Sequence, residues 1–172
     1  MSIQFPKPIL GFAAFSGTGK TTLLVKLLPI LKQRGLRIAM VKHAHHNFDV
    51  DTPGKDSYEL RKSGASPMLI CSSRRTAIMI ENEQEHEPDL QDTLSHINPD
   101  TIDLVLVEGF KLWSFPKIEL HRPALGKPLL FPDDDNIIAI AHDGSLATEP
   151  KIPVLDINNT QQITEFVIQF IQ

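Results

Sequence analysis

Apolar residues near the N-terminus change from a strand-like run to a helical spacing. Residues 9–15 form a short apolar run of the kind that buried parallel strands use. Leucines then recur at helical spacing before Gly35, which predicts a helix end: Leu23, Leu24, Leu27, Leu28 and Leu31. Pro29 lies inside this pattern and predicts a kink or a break. A second apolar run at 38–41 completes a strand–helix–strand unit.

Further runs of strand length and helical patterns alternate along the rest of the chain. The strand-like runs lie at 102–107, 118–121, 137–141 and 152–155. The helical patterns lie at 56–63, 89–97 and 160–171. This alternation predicts an α/β fold, a three-layer sandwich with a mostly parallel sheet, in one domain over residues 1–172.

Two segments do not fit the simple alternation and predict additions to the sheet. Short strands at 68–72 and 76–80 predict a hairpin, with Cys71 in the core because apolar residues flank it. Residues 112–135 are rich in Trp, Phe and Pro, with Gly126 near the middle. They predict an excursion from the sheet, again as a hairpin.

Composition and charge narrow the class of partner. The net charge of −4 disfavours nucleic acid or an anionic membrane as the main partner. Cys71 is the single cysteine, which excludes an intramolecular disulfide and favours a reducing compartment. No apolar stretch reaches the length of a bilayer span, and the N-terminal segment lacks the basic region of a signal peptide. We therefore expect a cytoplasmic protein.

Residues 14–22, AFSGTGKTT, stand between the first strand and the first helix. They match the phosphate-binding pattern G-x-x-x-x-G-K-[ST] at every position except Ala14. Ala14 ends the strand, where alanine needs only a negative φ and room for one methyl group. Since a strand precedes the motif and a leucine-rich helix follows it, we interpret these residues as a working phosphate loop.

The loop residues have distinct expected roles. Backbone N–H groups of residues 17–21 and the helix N-terminus would bind phosphate, and Gly17 and Gly19 keep side chains out of the way. Lys20 would reach the β- and γ-phosphates. The hydroxyl of Thr21 would bind Mg²⁺, and Thr22 would donate to the α-phosphate region.

A nucleotide site with Mg²⁺ usually needs a carboxylate at the end of another strand. Residues 103–110, DLVLVEGF, supply Glu108 there, whereas Asp103 lies at the opposite end of the strand. The polar segment 42–57 has the length of a loop that senses the γ-phosphate. It contains Asp49 and Asp51, which could face Mg²⁺-bound water or orient the attacking water.

Base selection and metal binding stay open at this point. The guanine-reading pattern N-K-x-D is absent, and either Asp143 or Asp156 could accept hydrogen bonds from guanine at a strand end. His43, His45 and His46 suggest a metal site, but adjacent histidines are poor joint ligands and no cysteine is near.

Four motifs together resemble the molybdopterin-guanine dinucleotide biosynthesis protein B family, MobB. They are FAAFSGTGKTTLL, VKHAHHNFDVDTPGKDSYELRKSGA, DLVLVEGFK and VLDIN. The resemblance runs from about residue 9 to the C-terminus, and the family also accepts alanine at the first loop position. It implies a P-loop NTPase fold that binds GTP and Mg²⁺, with weak GTPase activity.

The resemblance also implies partners and site residues. The protein would act beside MobA, the guanylyltransferase that attaches GMP to molybdopterin, and would form homodimers through an extended hairpin placed at 112–135. The family's phosphate-loop roles fall on Gly17, Thr18, Gly19, Lys20, Thr21 and Thr22, and its acidic roles on Asp49, Asp51 and Glu108. Related MinD-like ATPases carry a second lysine where this chain has Phe15, which agrees with weak hydrolysis unless a partner supplies an arginine.

Two other functions remain as alternatives. One is an ATP-dependent small-molecule kinase or ligase, with residues 43–46 lining its acceptor pocket. The other is a nucleotide-binding adaptor that does not require hydrolysis.

Overall fold

The computed structural model describes residues 3–44, 48–84 and 86–172. The chain folds into two compact units: unit 1 comprises Met1–His43 and Pro88–Gln172, and unit 2 comprises Ala44–Glu87. The single domain expected over 1–172 stays a prediction.

Unit 1 contains a six-stranded sheet in the order β2-β5-β1-β6-β7-β8, and all of its pairings are parallel. The strands are β1 (Ile9–Ala13), β2 (Ile38–Lys42), β5 (Leu104–Glu108), β6 (Lys117–His121), β7 (Ile137–His142) and β8 (Val154–Asp156). The helices of unit 1 are α1 (Lys20–Gln33), α3 (Leu90–Ser95) and α4 (Thr160–Phe170), with short 3₁₀ turns at Pro99–Thr101 and Pro123–Leu125.

Alternate residues of the central strands pack into two separate cores. Leu104 and Leu106 lie in a core with the leucines of α1 and the apolar face of α4. Val105 and Val107 lie in a second core with Leu90 and Leu94 of α3. Because successive strand residues point to opposite faces, helices cover both faces of the sheet. This confirms the expected three-layer α/β sandwich.

The helix α1 continues through Pro29, so the break that Pro29 could have caused does not occur. Leu23, Leu24, Leu27 and Leu31 are buried along one face, whereas Pro29 is exposed. Packing of the leucine face against the sheet therefore outweighs the lost backbone hydrogen bond.

The expected hairpin at 112–135 is wrong. Residues 117–121 form β6, which pairs in parallel with β1 on one side and β7 on the other. The aromatic residue that suggested an excursion, Phe115, is buried against Gly11 of β1. Phe115 therefore belongs to a connection between β5 and β6 that packs on the sheet, and not to a protruding hairpin.

Unit 2 holds the hairpin of this structure. It consists of α2 (Asp56–Lys62) and the antiparallel strands β3 (Met68–Cys71) and β4 (Thr76–Met79), as the apolar runs at 68–72 and 76–80 predicted. Cys71 is exposed at the end of β3, not in the core as expected. Residues on both faces of β3 are exposed, since Leu69 and Ile70 are 52% and 37% exposed, and Cys71 shares its face with Leu69.

The packing of the central strand β1 requires a residue without a side chain at Gly11, and this requirement can be tested. A methyl group at Gly11 would lie 2.6 Å from Cε2 of Phe115, so Gly11→Ala must displace a buried ring. We expect the free energy of unfolding, measured with urea, to fall by about 1–3 kcal/mol. Gly144→Ala is the control, because its nearest neighbour would be 3.4 Å away, and it should change stability by less than about 0.5 kcal/mol. Equal effects of the two variants would contradict the packing argument.

Candidate functional site

The loop between β1 and α1 has the backbone shape of a phosphate cradle. Gly17 and Gly19 have φ of 84° and 95°, in the left-handed region that favours glycine. Thr18 braces the turn, since its Oγ1 donates to the carbonyl of Phe15 at 2.8 Å. Ala14 is buried in the core beside α1, so its methyl group packs away from the loop. The defect in the sequence pattern therefore leaves the cradle intact.

Lys20 and Glu108 meet at the carboxyl edge of the sheet. Glu108 ends β5 and is level with Phe12 of the neighbouring β1. The Nζ of Lys20 lies 3.4 Å from Oε1 of Glu108, and the two side chains are 18% and 14% exposed. A cation and a carboxylate thus stand beside the loop, both accessible to a ligand. Thr21 and Thr22, at the start of α1, are exposed there as well.

The backbone turns sharply after Glu108 because β2 and β5 approach closely. Gly109 has φ of 94°, and a methyl group on it would lie 2.6 Å from Cβ of His43. The backbone N–H of His43 donates to the carbonyl of Glu108 at 2.8 Å. The imidazole ring of His43 lies 5.0 Å from the ring of Phe110, measured between centroids. His43 is thereby placed at the same edge as Glu108.

The metal site suggested by the histidines finds no support in the described part of the chain. Among residues 3–44, 48–84 and 86–172, no group of three His, Cys, Asp or Glu side chains could hold a metal ion. His45 and His46 lie outside the described residues.

Arg122 joins the phosphate loop to the ends of three strands. It follows β6, and its Nε donates to the carbonyl of Thr18 at 2.9 Å. Its Nη1 forms an ion pair with Asp143, which follows β7, and its Nη2 donates to Oδ1 of Asn158 at 3.1 Å. Asp156, the other candidate for reading the base, accepts the N–H of Asn158 at 2.8 Å. Sequence reasoning missed Arg122.

Buried charges on β6 fix the segments before and after that strand. Both carboxylate oxygens of Glu119 accept backbone N–H groups, from Leu130 and Phe131, although burial raises the pKa of Glu119. Lys117 donates from Nζ to the carbonyl of Trp113 at 2.7 Å and to Asp134 at 3.0 Å. These groups hold the chain on both sides of β6 and so help to position Arg122.

Asp103 lies away from this edge, as the sequence predicted. It precedes β5 and pairs with Arg37 through two contacts of 3.0 and 2.7 Å. The hydrogen bond from Arg37 holds the pKa of Asp103 well below its usual range. Its role is to tie the start of β5 to the segment before β2.

In unit 2, the two loop aspartates have different surroundings. Nη2 of the buried Arg61 donates to both oxygens of Asp49 at 2.7 and 2.6 Å, and this contact lowers the pKa of Asp49. Arg61 also pairs with Glu81. Asp51 uses only Oδ1, which accepts from the N–H of Thr52 and the hydroxyl of Ser57 at 2.9 and 3.1 Å.

The second oxygen of Asp51 is distinctive. Oδ2 is buried and accepts no hydrogen bond within the described residues, a state that is uncommon for a carboxylate. Asp49 and Asp51 both belong to unit 2, and their action at the phosphate loop stays a prediction.

Comparison with known proteins decides the family. The family model of molybdopterin guanine dinucleotide synthesis protein B matches residues 9–143. The chain belongs to the MobB family. It is 47% identical to the molybdopterin-guanine dinucleotide biosynthesis adapter protein of Escherichia coli strain K12, covering 96% of this chain and 94% of that relative. The corresponding protein of Haemophilus influenzae is 43% identical, with 93% and 87% covered.

Solved MobB structures share the fold. A crystal structure of molybdopterin-guanine biosynthesis protein B has a TM-score of 0.73 at 28% identity, covering 95% of this chain and 98% of that one. The Bacillus subtilis MobB structure, at 20% identity and a TM-score of 0.71, supports the fold alone. The MobB membership of this chain supports an adapter role in molybdopterin-guanine dinucleotide biosynthesis. No helix among the described residues is long and apolar enough to cross a membrane.

One signal in the sequence could have identified Arg122. The rule that selected Glu108 takes the polar residue at the end of a buried strand. Applied to the run at 118–121, the same rule points to His121 and Arg122. The assignment of 112–135 to a hairpin prevented this use of the rule, because strands of an excursion do not end at the sheet edge that holds the phosphate loop.

Proposed function

We propose that this MobB-family protein binds GTP with Mg²⁺ and hydrolyses it slowly, as an accessory to the attachment of GMP to molybdopterin. The observation that carries the proposal is the meeting of Lys20 and Glu108 beside a loop with left-handed Gly17 and Gly19. A nest of backbone N–H groups, a lysine and a strand-end carboxylate is the set of groups that P-loop nucleotide sites use.

Each group has a role that follows from its position. The N–H groups of the loop and the start of α1 would bind the phosphate oxygens. The ammonium group of Lys20 would leave Glu108 and bind the β- and γ-phosphates, because a phosphate carries more charge than a carboxylate. Thr21 and Glu108 would hold the metal or its waters, and both fit because hydroxyl and carboxylate oxygens suit Mg²⁺. When bound, Mg²⁺ neutralises charge on the phosphates.

Slow hydrolysis follows from the charges around the loop. Phe15 stands where MinD-like ATPases have a second lysine, and the nearby Nζ of Lys111 lies over its ring, 5.3 Å from the centroid. Lys111 is exposed, so water screens its charge. An arginine from MobA would supply the missing stabilisation of the γ-phosphate, which is a hypothesis based on the adapter role.

The first prediction of this proposal concerns nucleotide binding. Lys20→Met should weaken GTP binding about 10- to 100-fold, because it removes a charge-assisted contact with phosphate. Isothermal titration with GTP and ATP in the presence of Mg²⁺ measures this effect. Lys26→Met is the control, since Lys26 is exposed on the same helix. Tight ATP binding by the wild type with weak GTP binding would favour the kinase or ligase alternative instead.

The second prediction concerns hydrolysis and separates the two loop aspartates. Oδ2 of Asp51 is buried, accepts no hydrogen bond from the described residues and could orient the attacking water, whereas Arg61 contacts both oxygens of Asp49. We expect Asp51→Asn to lower the GTPase rate about 100-fold. Asp49→Asn should change the rate less than about 3-fold, since its role is to position the loop. Phosphate release under single-turnover conditions measures both rates.

The same assay with MobA added tests the partner. MobA should raise the wild-type rate, and an unchanged rate would count against an arginine supplied by that protein.

An Asp49→Asn defect as large as that of Asp51→Asn would contradict the division of roles between the two aspartates. Loss of hydrolysis without loss of cofactor maturation would favour the adaptor that does not require hydrolysis.

We also propose that the chain forms homodimers through the β3–β4 hairpin, not through residues 112–135. Leu69, Ile78 and Ile80 are 52%, 58% and 50% exposed. Leu69 and Ile78 are direct partners across the hairpin, and Ile80 lies two residues beyond Ile78 on the same side. An apolar face on a two-stranded sheet needs cover, because such a hairpin is marginally stable alone.

The third prediction concerns this dimer. The double variant Leu69→Lys with Ile78→Lys places like charges directly opposite each other and should convert dimers to monomers. Multi-angle light scattering measures the molar mass. Val25→Lys is the control, because Val25 is 64% exposed on α1. A monomeric wild type, or an unchanged mass for the double variant, would contradict this interface.

A further inference from the structure

The contacts of Arg122 connect two parts of a nucleotide site. Glu108 follows β5 on one side of β1, whereas Arg122 and Asp143 follow β6 and β7 on the other side. The phosphate loop follows β1 between them. Since β7 is two strands from β1, the ends of these two strands lie roughly 10 Å apart along the sheet edge. The carboxylate of Asp143 is closer to the loop than that, because one guanidinium group contacts both Asp143 and Thr18.

The contact with Thr18 orients a phosphate-binding group. In a trans peptide the C=O and the next N–H point in opposite directions. Arg122 Nε holds the carbonyl of Thr18 at 2.9 Å, on the side of the strand ends. The N–H of Gly19 therefore points to the other side of the same peptide. Arg122 fixes this peptide although it is 104 residues away in the sequence.

Asp143 retains acceptor capacity after pairing with Arg122. The ion pair uses Nη1 of Arg122 and Oδ2 of Asp143, and the carboxylate is 28% exposed. A carboxylate has about four acceptor sites in total, so Oδ1 and part of Oδ2 remain available as far as the described residues are concerned. Guanine offers two adjacent donors, N1–H and the 2-amino group, whereas adenine offers an acceptor at N1. A carboxylate therefore prefers guanine to adenine.

We propose that Asp143 recognises guanine and that Arg122 links this recognition to the phosphate loop through Thr18. The inference rests on the proposed binding of GTP and names the residue that selects the base. Arg122 is a positioning residue in this arrangement: it orients Asp143 at one end of its guanidinium and the Thr18–Gly19 peptide at the other. Asn158 holds the remaining nitrogen and so fixes the plane of the group.

Replacing the carboxylate of Asp143 by an amide, and guanine by xanthine, tests whether Asp143 recognises the base. Xanthine has a carbonyl where guanine has its 2-amino group, so an amide side chain suits xanthine and a carboxylate suits guanine. Asp143→Asn should weaken GTP binding about 10- to 100-fold and strengthen binding of xanthosine triphosphate by a similar factor. Titration with both nucleotides measures the ratio. A gain of affinity cannot come from misfolding.

Asp156→Asn is the matched control, since Asp156 ends the next strand and is the other carboxylate that could read a base. It should leave the ratio of the two affinities unchanged. A wild type that binds GTP, with a ratio unchanged by Asp143→Asn or switched by Asp156→Asn, would overturn this inference alone. A wild type that binds neither nucleotide would overturn the proposed function together with the inference.

The effect of Arg122 on the phosphate loop is measured with a ligand that has phosphates but no base. Tripolyphosphate probes the phosphate loop alone, and Arg122→Gln should weaken its binding about 10-fold, whereas Asp143→Asn should leave it unchanged. Arg122→Gln should also reduce the preference for GTP over xanthosine triphosphate, and Arg122→Lys should restore part of both effects.

Arg34→Gln is the control for loss of an exposed arginine, because Arg34 pairs with Glu165 on the helices. It should leave both readouts unchanged. If Arg122→Gln lowers the melting temperature but changes neither tripolyphosphate binding nor base preference, Arg122 is only structural and the link is overturned.

Discussion

The parallel pairing of β1 between β5 and β6 is the constraint on which the rest of the site depends. It brings the carboxyl ends of three strands to one edge of the sheet, so the loop after β1 lies between Glu108 and Arg122. Neither residue is near the loop in sequence. The buried residues of these strands pack on both faces of the sheet, and this packing fixes the register on each side of β1. The fixed register brings Glu108 and Arg122 to the two sides of the loop.

The charges at this edge bear on the proposed binding of an anionic nucleotide by an acidic chain. The net charge is −4, yet Lys20, Lys111 and Arg122 all lie close to residues 15–20. Two of these cations already have carboxylate partners, Glu108 and Asp143, so the site without nucleotide carries little net charge. A phosphate can then compete for Lys20 locally, where the distance is short and screening by salt is weak.

The sequence was most informative where a short pattern lies next to a buried run. This is how the strand–loop–helix unit and the position of Glu108 at a strand end beside the loop could be predicted, whereas their binding of a nucleotide stays a prediction. The failures at 112–135 and at Cys71 have a different origin. The ring of Phe115 packs against Gly11, which is more than 100 positions away in the sequence, and a local pattern does not reveal such a contact. Arg122 was missed for the same reason, since its partners come from three separate segments.

Packing explains why a defect in the motif has no consequence for the loop, whereas a residue outside the motif matters to it. Ala14 differs from the pattern, but its side chain packs into the core and leaves the backbone turn to Gly17 and Gly19. Arg122 has no place in the pattern, yet it holds the Thr18–Gly19 peptide of the loop. The geometry of a phosphate loop is thus determined jointly by its own glycines and by the strand ends beside it. A substitution at those strand ends would therefore alter the proposed nucleotide binding while every residue of the recognisable motif is kept.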